Sequence, residues 1–176
     1  MQPPENPAGV YQPEENCTPS RRAELIAEIE SAPGALRSAV AGLSEDQLDT
    51  RYRNWAIRQI VHHIADSHAN SYVRFKWALT ENVPTIKDYD EGNWAALDDS
   101  LRGDILAPLS LLDGLHLSWT QLLRRMTGDQ FLRTFIHPAT GTTTSLSRAL
   151  SYYAWHGRHH TAQITWLREQ HRWLKE

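Results

Sequence analysis

Four long stretches of this chain repeat their apolar residues at intervals of three and four, and turn-forming residues separate them. That periodicity restricts the fold severely. Each stretch reads as an amphipathic helix with one face to bury, and four such helices cover one another as an all-α four-helix bundle. The first helix is predicted from about residue 20 to 41, with Thr18-Pro19-Ser20 supplying a cap and a proline start. Leu25, Ile29, Leu36 and Val40 share its inner face, and Pro33-Gly34 predicts a kink or break. Ser44-Glu45-Asp46-Gln47 reads as a capping box opening a short helical turn. The second helix is predicted from about residue 56 to 80, with an apolar stripe through Ile57, Ile60, Ile64, His68, Tyr72 and Phe75. The third spans about 101 to 126, with Leu112, Leu115, Trp119 and Leu122 on one side and Pro108 marking a kink or a start. The fourth runs from about 145 to 171, capped by Thr144 or Ser145. Strand patterns are confined to short pieces around Tyr52 and Phe135. The long connections, about residues 81–97 and 127–144, mean that the bundle need not alternate simply up and down.

At 176 residues, 40% hydrophobic and 22% charged, the chain suits one globular domain. We divide it into an extended leader, residues 1–19, and a single bundle domain, residues 20–176. No apolar run approaches the roughly 20 residues that span a bilayer, and residues 1–9 lack the apolar core of a signal peptide. A single cysteine, Cys17, excludes an internal disulfide. A cytoplasmic protein with no membrane partner is expected. The net charge of −3, without a basic block, argues against nucleic acid as a partner.

Nine histidines stand out, and they cluster. In the fourth helix, at about 100° per residue, Leu146, Ala149, Leu150, Tyr153, Ile164 and Leu167 fall on one face, with His156 and His160 in the middle of it. One turn apart, these two imidazoles can approach a single point in the interior. Each must find partners for two ring nitrogens, and a metal ion satisfies one on each. The alternative is that each bonds a hydroxyl or carbonyl within the bundle. His159 points off this face and is expected at a rim or in solvent. Two imidazoles need a further ligand to hold a metal. The second helix offers His62, His63, Asp66 and His68. His68 lies on the apolar stripe and His62 and His63 lie off it, so geometry alone leaves the third ligand open.

The chain resembles the YfiT-like branch of the DinB superfamily, described as metal-dependent hydrolases and including bacillithiol transferases. The likeness covers nearly all of the chain from Gly9 to about Trp173. Its markers are Gly9-Val10-Tyr11-Gln12-Pro13, Trp55 through His68, Tyr89-Asp90-Glu91, His137-Pro138 and Trp155-His156-Gly157-Arg158-His159-His160. The resemblance implies a bundle of the DinB/YfiT type, a homodimer, and a metal held by His63, His156 and His160. It thereby selects His63 from the second helix. Arg158 departs from the pattern, outside the triad, as a positive charge that would tune substrate preference. Three imidazoles suit one divalent transition metal, zinc first and nickel second. They leave a position for water or substrate, as catalytic sites do. The expected activity is hydrolysis of a small-molecule substrate. The alternatives are transfer of a low-molecular-weight thiol to an electrophile, and a non-catalytic metal site closed by a fourth ligand such as His159 or Asp66. Asp66, His68 and His137 are the candidates for an acid or base helper.

Overall fold

The computed structural model describes residues 2–173; Met1 and residues 174–176, which the predicted leader and bundle ranges include, lie outside the described residues. In chain order the elements are α1 (Pro19–Val40), α2 (Glu45–Leu48), β1 (Arg51–Tyr52), β2 (Trp55–Ala56), α3 (Ile57–Thr80), α4 (Glu91–Ala95), α5 (Asp98–Arg102), α6 (Leu106–Arg125), α7 (Gly128–Phe131), β3 (Thr134–Ile136), β4 (Thr143–Ser145) and α8 (Leu146–His171). The four long helices are α1, α3, α6 and α8, so the fold is the four-helix bundle that the periodicity implies. No helix among the described residues is long and apolar enough to cross a membrane.

Local chemistry explains the helix ends. Thr18 accepts from Arg21 N and Pro19 fills the first position of α1, where its missing N–H costs nothing. Ser44 and Gln47 form the reciprocal capping box that opens α2. Ser145 caps α8 by accepting from Arg148 N.

Two expectations need correction in detail. Pro33 does not break α1, which runs unbroken through it. A proline at that position removes the N–H that would bond the carbonyl four residues earlier, Ile29 O. That carbonyl instead lies 2.6 Å from His116 Nδ1, so the polar group left over by the proline is satisfied from α6. The predicted third helix is two helices: α5 ends at Arg102, and a Cβ at position 103 would sit 2.3 Å from Asp99 O, which reserves that turn for Gly103. Pro108 then occupies the first turn of α6, where no intrahelical bond is lost. The long connection after α3, about residues 81–97, is as extended as predicted and carries the short helix α4.

The principal contacts are α1 with α8, α1 with α6, α3 with α6, and α3 with α8. They set a circuit in which α1 lies opposite α3 and α6 opposite α8. Two apolar clusters fill the interior. One contains Leu25, Ile29, Phe75, Trp119, Leu146 and Leu150, the other Leu36, Ile57, Ile60, Leu112, Ile164 and Leu167. Passing from the first to the second, α1 and α8 run in one direction and α3 and α6 in the other. Between the clusters each long helix contributes its middle: Pro33 on α1, His68 on α3, His116 on α6, and His156 with Gly157 on α8, all buried. A layer of imidazoles therefore divides the core.

Two small hairpins feed the helices that carry the histidines. β1 pairs antiparallel with β2, Tyr52 opposite Trp55, and β2 leads directly into α3. β3 pairs with β4, Phe135 opposite Thr144, and β4 leads into α8. Arg58, in the first turn of α3 and buried, bonds Glu45, Asp49 and the carbonyl of Gly103, tying α2 and the turn before α6 to the start of α3.

Candidate metal centre

His63, on the second turn of α3, and His156 and His160, one turn apart in mid-α8, converge. One ring nitrogen from each lies within 4.8 Å of the others. The closest pair, His63 Nε2 and His156 Nε2, is 3.2 Å apart. Two imidazoles at about 2.0–2.1 Å from one tetrahedral ion stand a little over 3 Å apart, so this pair fits as it stands, while His160 needs a small ring movement to close in. All three rings are buried, and burial dominates their electrostatics. It lowers His63 to about 3, with His160 adding to the effect, and lowers His160 to about 4. His156 is held well below the ordinary histidine value by burial first and by its neighbouring imidazoles second. The three are neutral at physiological pH and present lone pairs, the form in which imidazole binds metal.

The second nitrogens of His160 and His156 are held as well. His160 Nδ1 lies 2.9 Å from Gln163 Oε1, which can only accept, so the proton is on Nδ1 and Nε2 is free. His156 Nδ1 lies 3.1 Å from His68 Nε2. The Trp55 ring sits over His63 with centroids 4.5 Å apart and covers the site from the β1–β2 hairpin. Among the described residues no fourth His, Cys, Asp or Glu joins the group.

The triad forms part of the wall of a cavity of about 780 Å³ between α3, α8 and the loops after α3 and α7. Tyr11, Trp55, Tyr152 and Trp155 give it aromatic surface, and Arg74, Asp88 and His137 give it charge and polarity. Tyr11 arrives from the N-terminal stretch, where its hydroxyl lies 2.9 Å from Ser151 Oγ. Arg74 is buried. Its contacts are long, 3.4 Å to Tyr153 OH and 4.0 Å to Asp88.

The three helper candidates go to three different places. His137 lines the cavity, with Nε2 3.4 Å from Asp88 Oδ1. His68 is fully buried behind His156 and does not line the cavity. Asp66 is not on the cavity wall either. Burial raises its carboxyl to about 6, with nearby Asp99 adding to the effect. The folded value lies above the unfolded one. The group therefore supports folding fully below about pH 4 and loses that support as pH rises through about 6. Asp66→Asn is accordingly expected to stabilise the protein by about 1–2 kcal/mol at pH 8, a figure halved for partial exposure, and to leave it unchanged at pH 3.5. Thermal unfolding at the two pH values checks this; equal effects at both would contradict the placement.

Two further expectations are corrected. Of the two places expected for His159, solvent is excluded: it is buried and lines the cavity, stacked on Trp155 with centroids 4.5 Å apart and with Nε2 3.0 Å from Gln163 Nε2. Arg158 faces away from the triad, into a groove of about 450 Å³ between α1 and α8, where it pairs with Glu28 at 3.3 Å. It does not line the cavity that holds the triad. Tyr11, Arg74, Asp88, Tyr152 and Tyr153 are cavity residues to which the sequence assigns no role. Asp88 and Arg74 carry the signal of charge near a loop and on a helix flank, which is too common to single them out.

A family model for the DinB superfamily matches residues 28–164. The chain belongs to the DinB superfamily. Within it, the chain is 46% identical over 169 residues to a Bacillus subtilis (strain 168) protein named "Putative metal-dependent hydrolase YfiT", with 95% of each chain covered. A Bacillus cereus relative, named "Putative metal-dependent hydrolase", is 51% identical over 150 residues, covering 84% of this chain and 86% of that one. The solved structure of YfiT from Bacillus subtilis superposes with a TM-score of 0.93 at 44% identity, covering 96% of this chain and 98% of that one. It is described as "a probable metal-dependent hydrolase with an unusual four-helix bundle topology". In this DinB chain the circuit of helices, with α1 opposite α3, departs from a simple up-down-up-down bundle.

Proposed function

We propose that this DinB chain is a metal-dependent hydrolase of small molecules whose single divalent ion is held by His63, His156 and His160. The observation that carries this reading is the convergence of three buried, neutral imidazoles on a cavity wall with no fourth ligating side chain among the described residues. A closed structural site takes four protein ligands, whereas three leave a position for substrate or water. That contrast weighs against the non-catalytic alternative. Zinc is our first choice and nickel the second. When bound, such an ion polarises a carbonyl and lowers the pKa of water to about 7, supplying a nucleophile at neutral pH.

The chain's own residues supply the rest. His63 and Trp55 close one side of the cavity, and the aromatic walls exclude water around the reacting group. Of the helper candidates, His137 is the one in position to accept or deliver a proton, with Asp88 orienting its ring. Arg74 offers a guanidinium to an acidic group on the substrate. Thiol transfer, with a low-molecular-weight thiol as co-substrate, is the second reading. The observation favouring it is the cavity volume of about 780 Å³, room for two small reactants side by side. With the proposal go a homodimer and a cytoplasmic location.

The test uses protein stripped of metal and reloaded with zinc. It is assayed on simple esters and amides, and separately on an electrophile with a low-molecular-weight thiol. Hydrolysis without thiol, lost at least about 100-fold in His63→Ala, is the expected result. Turnover only with thiol would move the enzyme to the second reading, and turnover unchanged in His63→Ala would remove the metal site from the mechanism.

A further inference from the structure

The polar layer that divides the core contains more imidazoles than a metal needs. His68 and His116 are fully buried, at 0% and 2% exposure, and neither lines the cavity. They form a line behind His156. His156 Nδ1 is 3.1 Å from His68 Nε2, His68 Nδ1 is 2.9 Å from His116 Nε2, and His116 Nδ1 is 2.6 Å from Ile29 O.

The far end of this line decides its direction. A carbonyl oxygen only accepts, so His116 carries its proton on Nδ1. A neutral His116 then accepts at Nε2, which puts the His68 proton on Nδ1. His68 in turn accepts at Nε2, which puts the His156 proton on Nδ1. The tautomer left to His156 has its lone pair on Nε2, the nitrogen facing His63. The carbonyl that starts the sequence is available because Pro33 has no N–H to offer it. The line also ends there, on buried backbone rather than in water, so it has no exit for a proton.

We infer that Pro33, Ile29, His116 and His68 form a tautomer lock, which holds the His156 imidazole in its metal-binding form before any metal arrives. His68 and His116 are thus positioning residues. This assigns His68 a place in the site different from the acid–base role considered for it. Gly157 lies against the same ring: a Cβ there would sit 3.4 Å from His68 Cε1, at the near edge of ordinary van der Waals contact. The inference rests on the proposed metal reading for its purpose, although not for its geometry.

The first test needs no variant and no metal. In metal-free protein labelled with ¹⁵N, long-range ¹H–¹⁵N correlation spectra report which nitrogen of each histidine is protonated. His116, His68 and His156 are expected to be protonated on Nδ1. A proton on Nε2 of His156 or His68 would overturn the lock, whatever the protein does with metals.

The second test measures affinity for Co(II) by chelator competition, together with the Co(II) absorption spectrum. His116→Leu removes the acceptor that orients His68, which is itself the outer partner of His156, and should weaken Co(II) binding by about 10-fold, the lower end of the effect of losing such a partner directly. His116→Gln, whose amide can both donate and accept, should recover part of that loss. Pro33→Ala returns an N–H to Ile29 O, in competition with His116. It should lower the affinity several-fold without lowering the unfolding temperature, which a purely structural proline would not do. Equal affinity in wild type, His116→Leu and Pro33→Ala would contradict the inference. Failure of wild-type protein to bind Co(II) or zinc would instead refute the metal reading, and the NMR result would then stand alone.

Discussion

His160→Ala is expected to weaken zinc binding by about 100-fold or more while leaving the bundle folded. The four-ligand zinc sites of small proteins are worth about 10–16 kcal/mol at neutral pH, or roughly 3 kcal/mol for each ligand. At about 1.4 kcal/mol per decade, that is at least two orders of magnitude. His160 is the best of the three ligands to remove, because its outer partner is the flexible amide of Gln163 and not the core layer. His156→Ala removes a ligand and also leaves His68 Nε2 facing a void, so it mixes metal loss with core damage. Zinc titration against a fluorescent chelator, with circular dichroism to monitor folding, measures the difference. An affinity for His160→Ala within a few-fold of wild type would mean that the ring is not a ligand.

The metal-free protein is expected to unfold on mild acidification, near pH 5, and zinc is expected to push that transition to lower pH. His63, His68, His156 and His160 all have folded values lowered chiefly by burial, to about 3 for His63 and about 4 for His160. In the unfolded chain each takes up a proton near the ordinary value of about 6.5. The unfolded state therefore binds more protons over the window from about 6.5 down to 4, and stability falls as pH falls through it. Each such histidine costs about 1.4 kcal/mol per pH unit. Two of the four acting fully would remove about 3 kcal/mol per unit, from a total that is typically 5–15 kcal/mol. Asp66 acts in the opposite sense, but only one carboxyl is involved. Acid titrations followed by circular dichroism, with and without zinc, check this. A metal-free transition only below pH 4, where ordinary carboxylates titrate, would contradict the burial of neutral imidazoles.

The helices are readable because their apolar spacing is dense and their caps are conventional: Thr18, Ser44 and Ser145 each do what residues of their type do at helix starts. The start of α6 is readable as one of the two meanings of Pro108, but the end of α5 is not, since Leu101 and Arg102 continue a helical pattern, and only the close approach of Gly103 to Asp99 O ends it. Pro33 reads as a kink or break because sequence alone cannot show that a histidine from α6 takes over the carbonyl it orphans.

The candidate site divides in the same way. His156 and His160 share the apolar face of α8, so periodicity alone singles them out. His63 does not lie on the stripe of α3. The centre of that stripe points to the deep core, where His68 stands, while the metal site lies to one side against the cavity, under Trp55. A search for the most buried histidine on α3 therefore finds the outer partner of the site and misses its wall. The periodicity leaves His159 between rim and solvent for a related reason. Its burial comes from stacking on Trp155 four residues away, a contact that the apolar pattern does not register.

Everything proposed for this chain depends on three imidazoles from α3 and α8 binding one ion at the wall of the cavity. The most direct measurement is a crystal structure of zinc-loaded protein, with anomalous data collected on both sides of the zinc absorption edge. One zinc per chain is predicted, with the nitrogens of His63, His156 and His160 at about 2.0–2.1 Å and a water or substrate atom completing the shell. Zinc bound elsewhere, or at this place but closed by a fourth protein side chain, would contradict it.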